Sequence, residues 1–489
     1  MSLSSSLFSG ISGLNTLGNA MNVIGDNIAN INTVGFKASR VTFQDVLSQT
    51  VATTAGSAQV GRGTSLADIS SSFAQGSFES TDSTTDLAIG GEGFFVVRDF
   101  NNEENQFYTR AGEFRFDKDG NFVNPAGYIV RGWALDAATG EDQGSVTDII
   151  LQSFTSSPME TSNINVITNL DSDAEDKASG GTGNDITLSE LWDGNATTPI
   201  DENHYNYQTT FKIYDSLGST HDISIYYDKG DTASTWEFIV ACSPDEDERA
   251  IFGATTDAGY GMLGRGTIQF NASSGAIEAI TLSRFIGNTS GGDPDDMTDA
   301  LCWDAQSTAT DLTNGYFTFD PLFIPGGIAM GVKLDYGSHY DGSSWVNSSL
   351  STTQFSSAST TTFQSANGYG AGDLQSVVVD TDGVITGQYS NGQVIPLFRV
   401  AMAKFQNAQG LYKEGGNLFR ETRLSGDPTT SKPGSNGLGS ISPNSLEQSN
   451  VDIANEFVKM ITTQRGYQAN SKIITVTDQM LAELINLKR

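Results

Sequence analysis

Cysteine, histidine and basic side chains are scarce in this chain: two Cys, three His, and 26 Lys and Arg against 58 Asp and Glu in 489 residues. Two thiols 60 positions apart, Cys242 and Cys302, exclude a disulfide framework and a zinc site, and leave one bridge as an open question. The histidines, His204, His221 and His339, have no i, i+4 metal spacing, and no nucleophile elbow is present. A net charge of −32 excludes nucleic acid and anionic membrane as partners, because both require a basic surface. No run approaches the ~18 apolar residues of a membrane span. The start has no basic segment, and Ser and Gly interrupt its apolar residues, so it does not read as a secretory signal peptide.

Possible chemistry is equally thin. Gly91-Glu92-Gly93 precedes an apolar strand rather than a helix, so it reads as a turn and not a dinucleotide loop. "DKDGN" (117–121) and "DTDG" (380–383) lack the glycine and glutamate positions of a calcium loop and read as hairpin turns. The expectation is a protein that is not an enzyme, with no catalytic residue, metal or cofactor.

The chain does have abundant turn residues, 53 Gly among them, and short apolar strands, which together indicate a mainly β protein. "EFRFDKDGNFVNPAGYIVRGW" (113–133) and "SVVVDTDGVITGQYSNGQVIPLFRV" (376–400) share one hairpin plan. They read as halves of one domain with an interrupted middle.

Helical periodicity appears only at the two ends. Leu7, Ile11, Leu14, Leu17, Met21, Ile24, Ile28 and Ile31 follow steps of three and four. That helix should end between Asn30 and Thr33. Gly10, Gly13, Gly18 and Gly25 lower its propensity by ~1 kcal/mol each, so it needs neighbours. From Ser449 to Leu487, Phe457, Ile461, Tyr467, Ile474, Met480, Leu481 and Leu484 mark a second stripe, with Ser449 or Asn450 as N-cap. Residues 1–50 and 445–489 each carry balanced charge, so the whole excess of acid lies between them. Neutral ends can pack against copies of themselves, while an acidic middle favours solvent.

The end segments also carry a family pattern. "DNIANINTVGFKASRVTFQDVL" (26–47) and "LEQSNVDIANEFVKMITTQRGYQANSKIITVTDQML" (446–481) resemble the two signatures of the flagellar rod and hook family of bacterial axial proteins. The motif positions are Asn27, Ala29, Asn30, Thr33, Gly35, Phe36, Lys37, Ser449, Asn450, Val451, Asp452, Gln464, Arg465 and Tyr467. The length and the middle segments resemble the hook-forming members more than the shorter rod members.

The resemblance implies a mainly β multidomain fold with nested, discontinuous domains, and terminal helices in a coiled-coil-like inner layer. The implied domains are a helical one from 1–35 and 445–489, a connector at 36–75, a β domain from 76–150 and 366–444, and an outer β domain at 151–365. Both apolar stripes would form the assembly interface of a helical homopolymer. That polymer would be a curved tube acting as a universal joint, carrying torque from the basal-body rod to the filament. Implied partners are other copies, rod and hook–filament junction proteins, the hook cap and the flagellar type III export apparatus. The implied location is the extracellular flagellum, reached without a cleavable signal. Two alternatives stay open: a distal rod or hook-associated axial protein, and an extracellular β-rich enzyme or adhesin with helical ends.

Overall fold

The computed structural model describes residues 3–53, 56–100, 102–137, 139–179, 187–230, 232, 234–254 and 256–487. The chain forms two compact units. One comprises the segments up to Phe154 and from Leu374 onward; the other is Thr155–Asp373. The two α-helices found among the described residues, α1 (Leu3–Ala29) and α2 (Ile453–Leu487), both belong to the first unit.

In the first unit the strand Ile129–Leu135 is the hub of a large antiparallel sheet. It pairs with Phe94–Asp99 through Val130 and Val97, and with Val394–Val400 through Gly132 and Val400. A Cβ on Gly132 would sit 2.2 Å from the Arg399 carbonyl oxygen, so only glycine allows this crossing. The hairpin segments 113–133 and 376–400 thus share one sheet, and Leu87, Phe95, Phe122, Val130, Val379, Ile385 and Val400 fill one core. The aspartates of the two turn motifs act on the backbone. Asp117 Oδ1 accepts from Asp119 and Asn121 N–H, and Asp380 Oδ1 accepts from Asp382 and Val384 N–H. The 36–75 stretch is built of strands: Ser39–Asp45 pairs with Thr64–Ser71, and Gln49–Thr53 with Gly56–Val60.

The second unit packs a six-stranded antiparallel meander, Tyr207–Tyr214 through Trp303–Ala305 in chain order, on a smaller sheet centred on Asn163–Asp171. Alternating side chains such as Ile223, Ile225 and Tyr227 meet Ile164, Val166 and Val332 between the sheets. Cys242 and Cys302 are buried free thiols, and burial pushes both upward, Cys302 to about 11. Arg249 closes on Asp247 through two hydrogen bonds of 2.8 and 2.7 Å, tying its loop to the Met262 and Phe285 carbonyls.

Asp228 is fully buried and accepts from Lys177 N–H, Ala178 N–H and Asn206 Nδ2, pinning the chain around residue 178 to the meander. Burial pushes its carboxyl up to about 6, against the pull of those donors. An unfolded aspartate titrates near ~4. The contribution of Asp228 is therefore full below that value and is lost as pH rises through about 6. Urea unfolding of wild type and Asp228→Asn across this window should show the wild-type advantage shrinking with rising pH and then levelling. A pH-independent difference would refute the assignment.

Candidate assembly surface

α1 ends where the sequence turns polar. Thr33 N–H donates to the Asn30 carbonyl, and Gly35 follows at φ +69°. A Cβ there would meet Ala111 N at 2.5 Å, so the exit from the helix requires glycine twice over, for space and for conformation. Gly35 N–H donates to the Glu447 carbonyl at 2.7 Å. Two residues on, Lys37 enters the interior with its side chain at 0% exposure.

Lys37 Nζ donates to Glu447 Oε1 at 2.7 Å and to the Ala74 carbonyl at 2.9 Å. The same carboxylate accepts from Gly76 N–H at 2.8 Å and, through Oε2, from the Arg110 guanidinium at 3.2 Å. Arg110 in turn donates to the Gly91 carbonyl and lies over the Phe94 ring. Burial lowers the pKa of both Lys37 and Arg110, and Glu447 pulls each back up.

A ring of amides surrounds this centre. Asn27 exchanges hydrogen bonds with Ser39, Nδ2 to the carbonyl and N–H to Oδ1, both 2.8 Å, and also reaches Glu456 Oε2 at 3.3 Å. Asn450 accepts from Ala38 N–H and donates to the Ser72 and Ala74 carbonyls. Asn417, at φ +61°, donates to the Val34 carbonyl. Lys413 donates to the Lys37 carbonyl and Ser39 Oγ and lies over the Phe36 ring.

The motif residues Asn27, Gly35, Phe36, Lys37 and Asn450 thus converge on one junction. Val451 is buried beside them. Asn30 and Thr33 hydrogen-bond locally, to Asp26 and to Asn30 respectively, while Ala29, Gln464 and Arg465 face outward. The α2 cap is Asp452, whose Oδ1 accepts Asn455 N–H at 3.1 Å, rather than Ser449 or Asn450. Asn450 is committed to the junction, and Ser449 Oγ takes Val451 N–H before the helix begins. Sequence reasoning missed Arg110, Glu447 and Glu456. Their one signal was Lys37, a lone cation in a run otherwise free of charge.

α1 and α2 pack antiparallel, and glycines let them approach closely at their seam. A Cβ on Gly10 would meet Ile474 at 3.1 Å, one on Gly13 the Asn470 amide at 2.9 Å, and one on Gly466 Leu17 at 3.2 Å. Thr16, Ala20, Ile24 and Asn27 are buried on α1, and Glu456 and Thr477 on α2. The strand Thr64–Ser71 lies along α1, with Thr16 and Thr64 hydroxyls 3.0 Å apart.

The predicted stripes divide accordingly. Ile24 is buried; Leu7, Leu14, Leu17, Met21, Ile28, Ile31, Ile474 and Leu481 are half-buried. Ile11, Phe457, Ile461, Tyr467 and Met480 stay exposed, Phe457 at 47%, together with Val458, Ile473 and Val476. The side chain of Leu484 lies outside the described residues. α2 therefore presents uncovered apolar side chains and α1 a half-covered stripe, while both are fastened at the root. Among the described residues no group of His, Cys, Asp or Glu is placed to hold a metal ion, and no helix is long and apolar enough to cross a membrane.

Four family models match successive parts of the chain: flagella basal body rod protein over 7–37, flagellar hook protein FlgE/F/G D1 domain over 88–171, flagellar basal body protein FlaE D2 domain over 169–369, and flagellar basal body rod FlgEFG protein C-terminal over 442–487. The chain is 32% identical to the flagellar hook protein FlgE of Borreliella burgdorferi, with 99% of each chain covered. It is 31% identical to that of Treponema pallidum, again with 99% of each covered, and 30% identical to that of Salmonella typhimurium, with 98% of each covered.

Removing one partner from a buried ion cluster costs about 3–5 kcal/mol, whereas an exposed pair is worth less than ~1 kcal/mol. Lys37→Ala should thus destabilise its unit by the larger amount, and Arg420→Ala, which breaks an exposed pair with Glu414, by the smaller. Denaturant unfolding followed by Trp133 fluorescence measures both; equal costs would sink the reading of Lys37 as a buried tie.

Proposed function

Because this chain belongs to the flagellar hook protein family and is a structural subunit of the bacterial flagellar hook, we propose that its exposed α1 and α2 faces are the surfaces through which copies polymerise. The observation that carries this is the uncovered apolar surface of α2, with Phe457, Ile461, Tyr467, Ile473, Val476 and Met480 exposed on a helix tied in its first turn to α1 through Glu456 and Asn27. A face of that kind repeated along a helix favours head-to-tail contacts that do not close, which generate a helical filament.

The assembly interface is the stripe pair at Leu7, Ile11, Leu14, Leu17, Met21, Ile28 and Ile31 with the α2 residues above. The half-buried members would complete their burial against neighbours. The tube so formed serves as a curved joint between rod and filament. Copies of the chain, rod and junction proteins, the cap and the type III export apparatus are its partners, and that apparatus brings it to the cell exterior. No enzymatic role forms part of the proposal.

Phe457 and Ile461 are each about half covered already, so completing their burial contributes roughly 1.5–3 kcal/mol per subunit together. Phe457→Asp with Ile461→Asp should raise the critical concentration for tubes roughly 10- to 100-fold or more, with melting of the β units unchanged. Sedimentation and negative-stain microscopy read the outcome. Tubes forming at the wild-type concentration would exclude α2 from the interface.

A further inference from the structure

His221 lies in the second unit, at the start of the strand Thr220–Lys229. Its side chain is 11% exposed, and its ring stacks on Phe323 with centroids 3.9 Å apart and planes 6° from parallel. Both ring nitrogens face carboxylates: Nδ1 lies 2.9 Å from Glu246 Oε2, and Nε2 lies 3.4 Å from Asp215 Oδ2. A neutral imidazole has one N–H and one lone pair, and an ionised carboxylate only accepts. Carboxylates at both nitrogens of one ring are therefore both satisfied only by the imidazolium. Asp215 does not supply the missing proton. Burial pushes its carboxyl up, but Ser219 N–H, the His221 ring and Leu217 N–H outweigh that and hold it below the usual carboxylate range.

The two carboxylates differ in freedom. The Asp215 side chain is 4% exposed, and its Oδ1 accepts from Leu217 and Ser219 N–H, so its own turn fixes it. The Glu246 side chain is 42% exposed and sits on the short helical turn Pro244–Glu246. That turn closes on itself, Glu246 N–H donating to the Ser243 carbonyl and Asp247 N–H to the Pro244 carbonyl. Its side-chain tie to the sheet is Glu246 on His221. Beyond it the chain is anchored independently, by Arg249 on Asp247 and by Glu248 N–H on the Leu322 carbonyl. The other charged groups around the ring are committed or of the wrong sign. Lys212 is taken by Asp222, Arg249 by Asp247, and Arg284 by Asp304 and Asp320, while Asp245 and Glu248 flank Glu246 as further acids. We propose that His221 is a proton-operated clasp: the imidazolium holds the Pro244–Glu246 turn to the sheet, and loss of one proton leaves Nε2–H on Asp215 and lets Glu246 swing into solvent. Imidazole changes charge between about pH 5 and 8, so the turn is fixed at the acid end of that range and free at the alkaline end.

Nitrogen NMR of the histidine rings in the full-length chain reads the proton, with His204 and His339 as the other two signals. Amide exchange, corrected for the intrinsic effect of pH, reads the turn. At about pH 5 both His221 nitrogens should be protonated, and at about pH 8 only Nε2. Exchange across residues 243–248 should accelerate roughly three- to tenfold between those values, while peptides from the buried strand Thr235–Cys242 should not change. Two variants at the exposed partner separate the clasp from a general effect of pH. Glu246→Gln offers Nδ1 an amide donor, so a neutral ring keeps both contacts and the turn should stay protected at both pH values. Glu246→Ala removes the tie, so the turn should exchange fast at both. Equal protection of the wild-type turn at both pH values would overturn the clasp. So would a lone proton on Nδ1 at the higher pH, or a Glu246→Gln response as large as that of the wild type.

Discussion

One buried carboxylate sets the geometry of both chain ends. Glu447 is completely removed from solvent, and its side chain is held by a lysine, an arginine and a backbone N–H, while its own carbonyl accepts the N–H of Gly35. Taking three charged groups into the interior costs several kcal/mol per ion, and their mutual attraction and hydrogen bonds recover most of it. An apolar cluster of equal volume would hold the ends about as firmly, but it would also tolerate slippage. A carboxylate with donors converging from three separate segments has one solution, and that solution fixes where α1 leaves the β unit and where α2 enters.

From that fixed root the helices divide their residues between two purposes. At the seam between them Gly10, Gly13 and Gly466 let the backbones approach and receive Ile474, Asn470 and Leu17 from the opposite helix. Ile474 faces α1, while Phe457, Ile461 and Met480 stay exposed. A helix pair optimised as a monomer would do the reverse, placing Phe457, Ile461 and Met480 in the seam. The arrangement instead leaves part of the hydrophobic driving force for the contacts between copies proposed above.

Much of this was legible in sequence and part was not, for identifiable reasons. The period of three and four located both helices, and the paired Asp-Gly turns located strands that share a sheet, because these signals are local. Periodicity cannot say which of two apolar faces meets a neighbour in the same chain: Ile24 and Ile28 carry the same pattern, yet only Ile24 is buried. The junction was illegible because the partners that converge on Glu447 and Asn450 lie more than 300 positions away in the sequence. Asn450 looked like a helix cap for the sound reason that asparagine caps helices. Tertiary hydrogen bonds to Ser72 and Ala74 claimed it, and Asp452 took over the cap.

Charge completes the division. Residues 155–373 hold 31 acidic side chains against 7 basic ones, three-quarters of the net −32. All seven cations are engaged inside that unit: Arg249 on Asp247, Arg284 on Asp304 and Asp320, Lys212 on Asp222, Lys177 and Lys229 on carbonyls, Arg265 and Lys333 over aromatic rings. The surface of this unit is therefore acid with little to offset it, and two copies brought within a Debye length, about 8 Å at physiological salt, repel. Attraction through neutral helical ends and repulsion between acidic middles act on different parts of one subunit. In the polymer proposed above, cohesion would come from the helices, while the acidic units would resist sticking and stay free to move past one another, as a tube that bends without breaking requires.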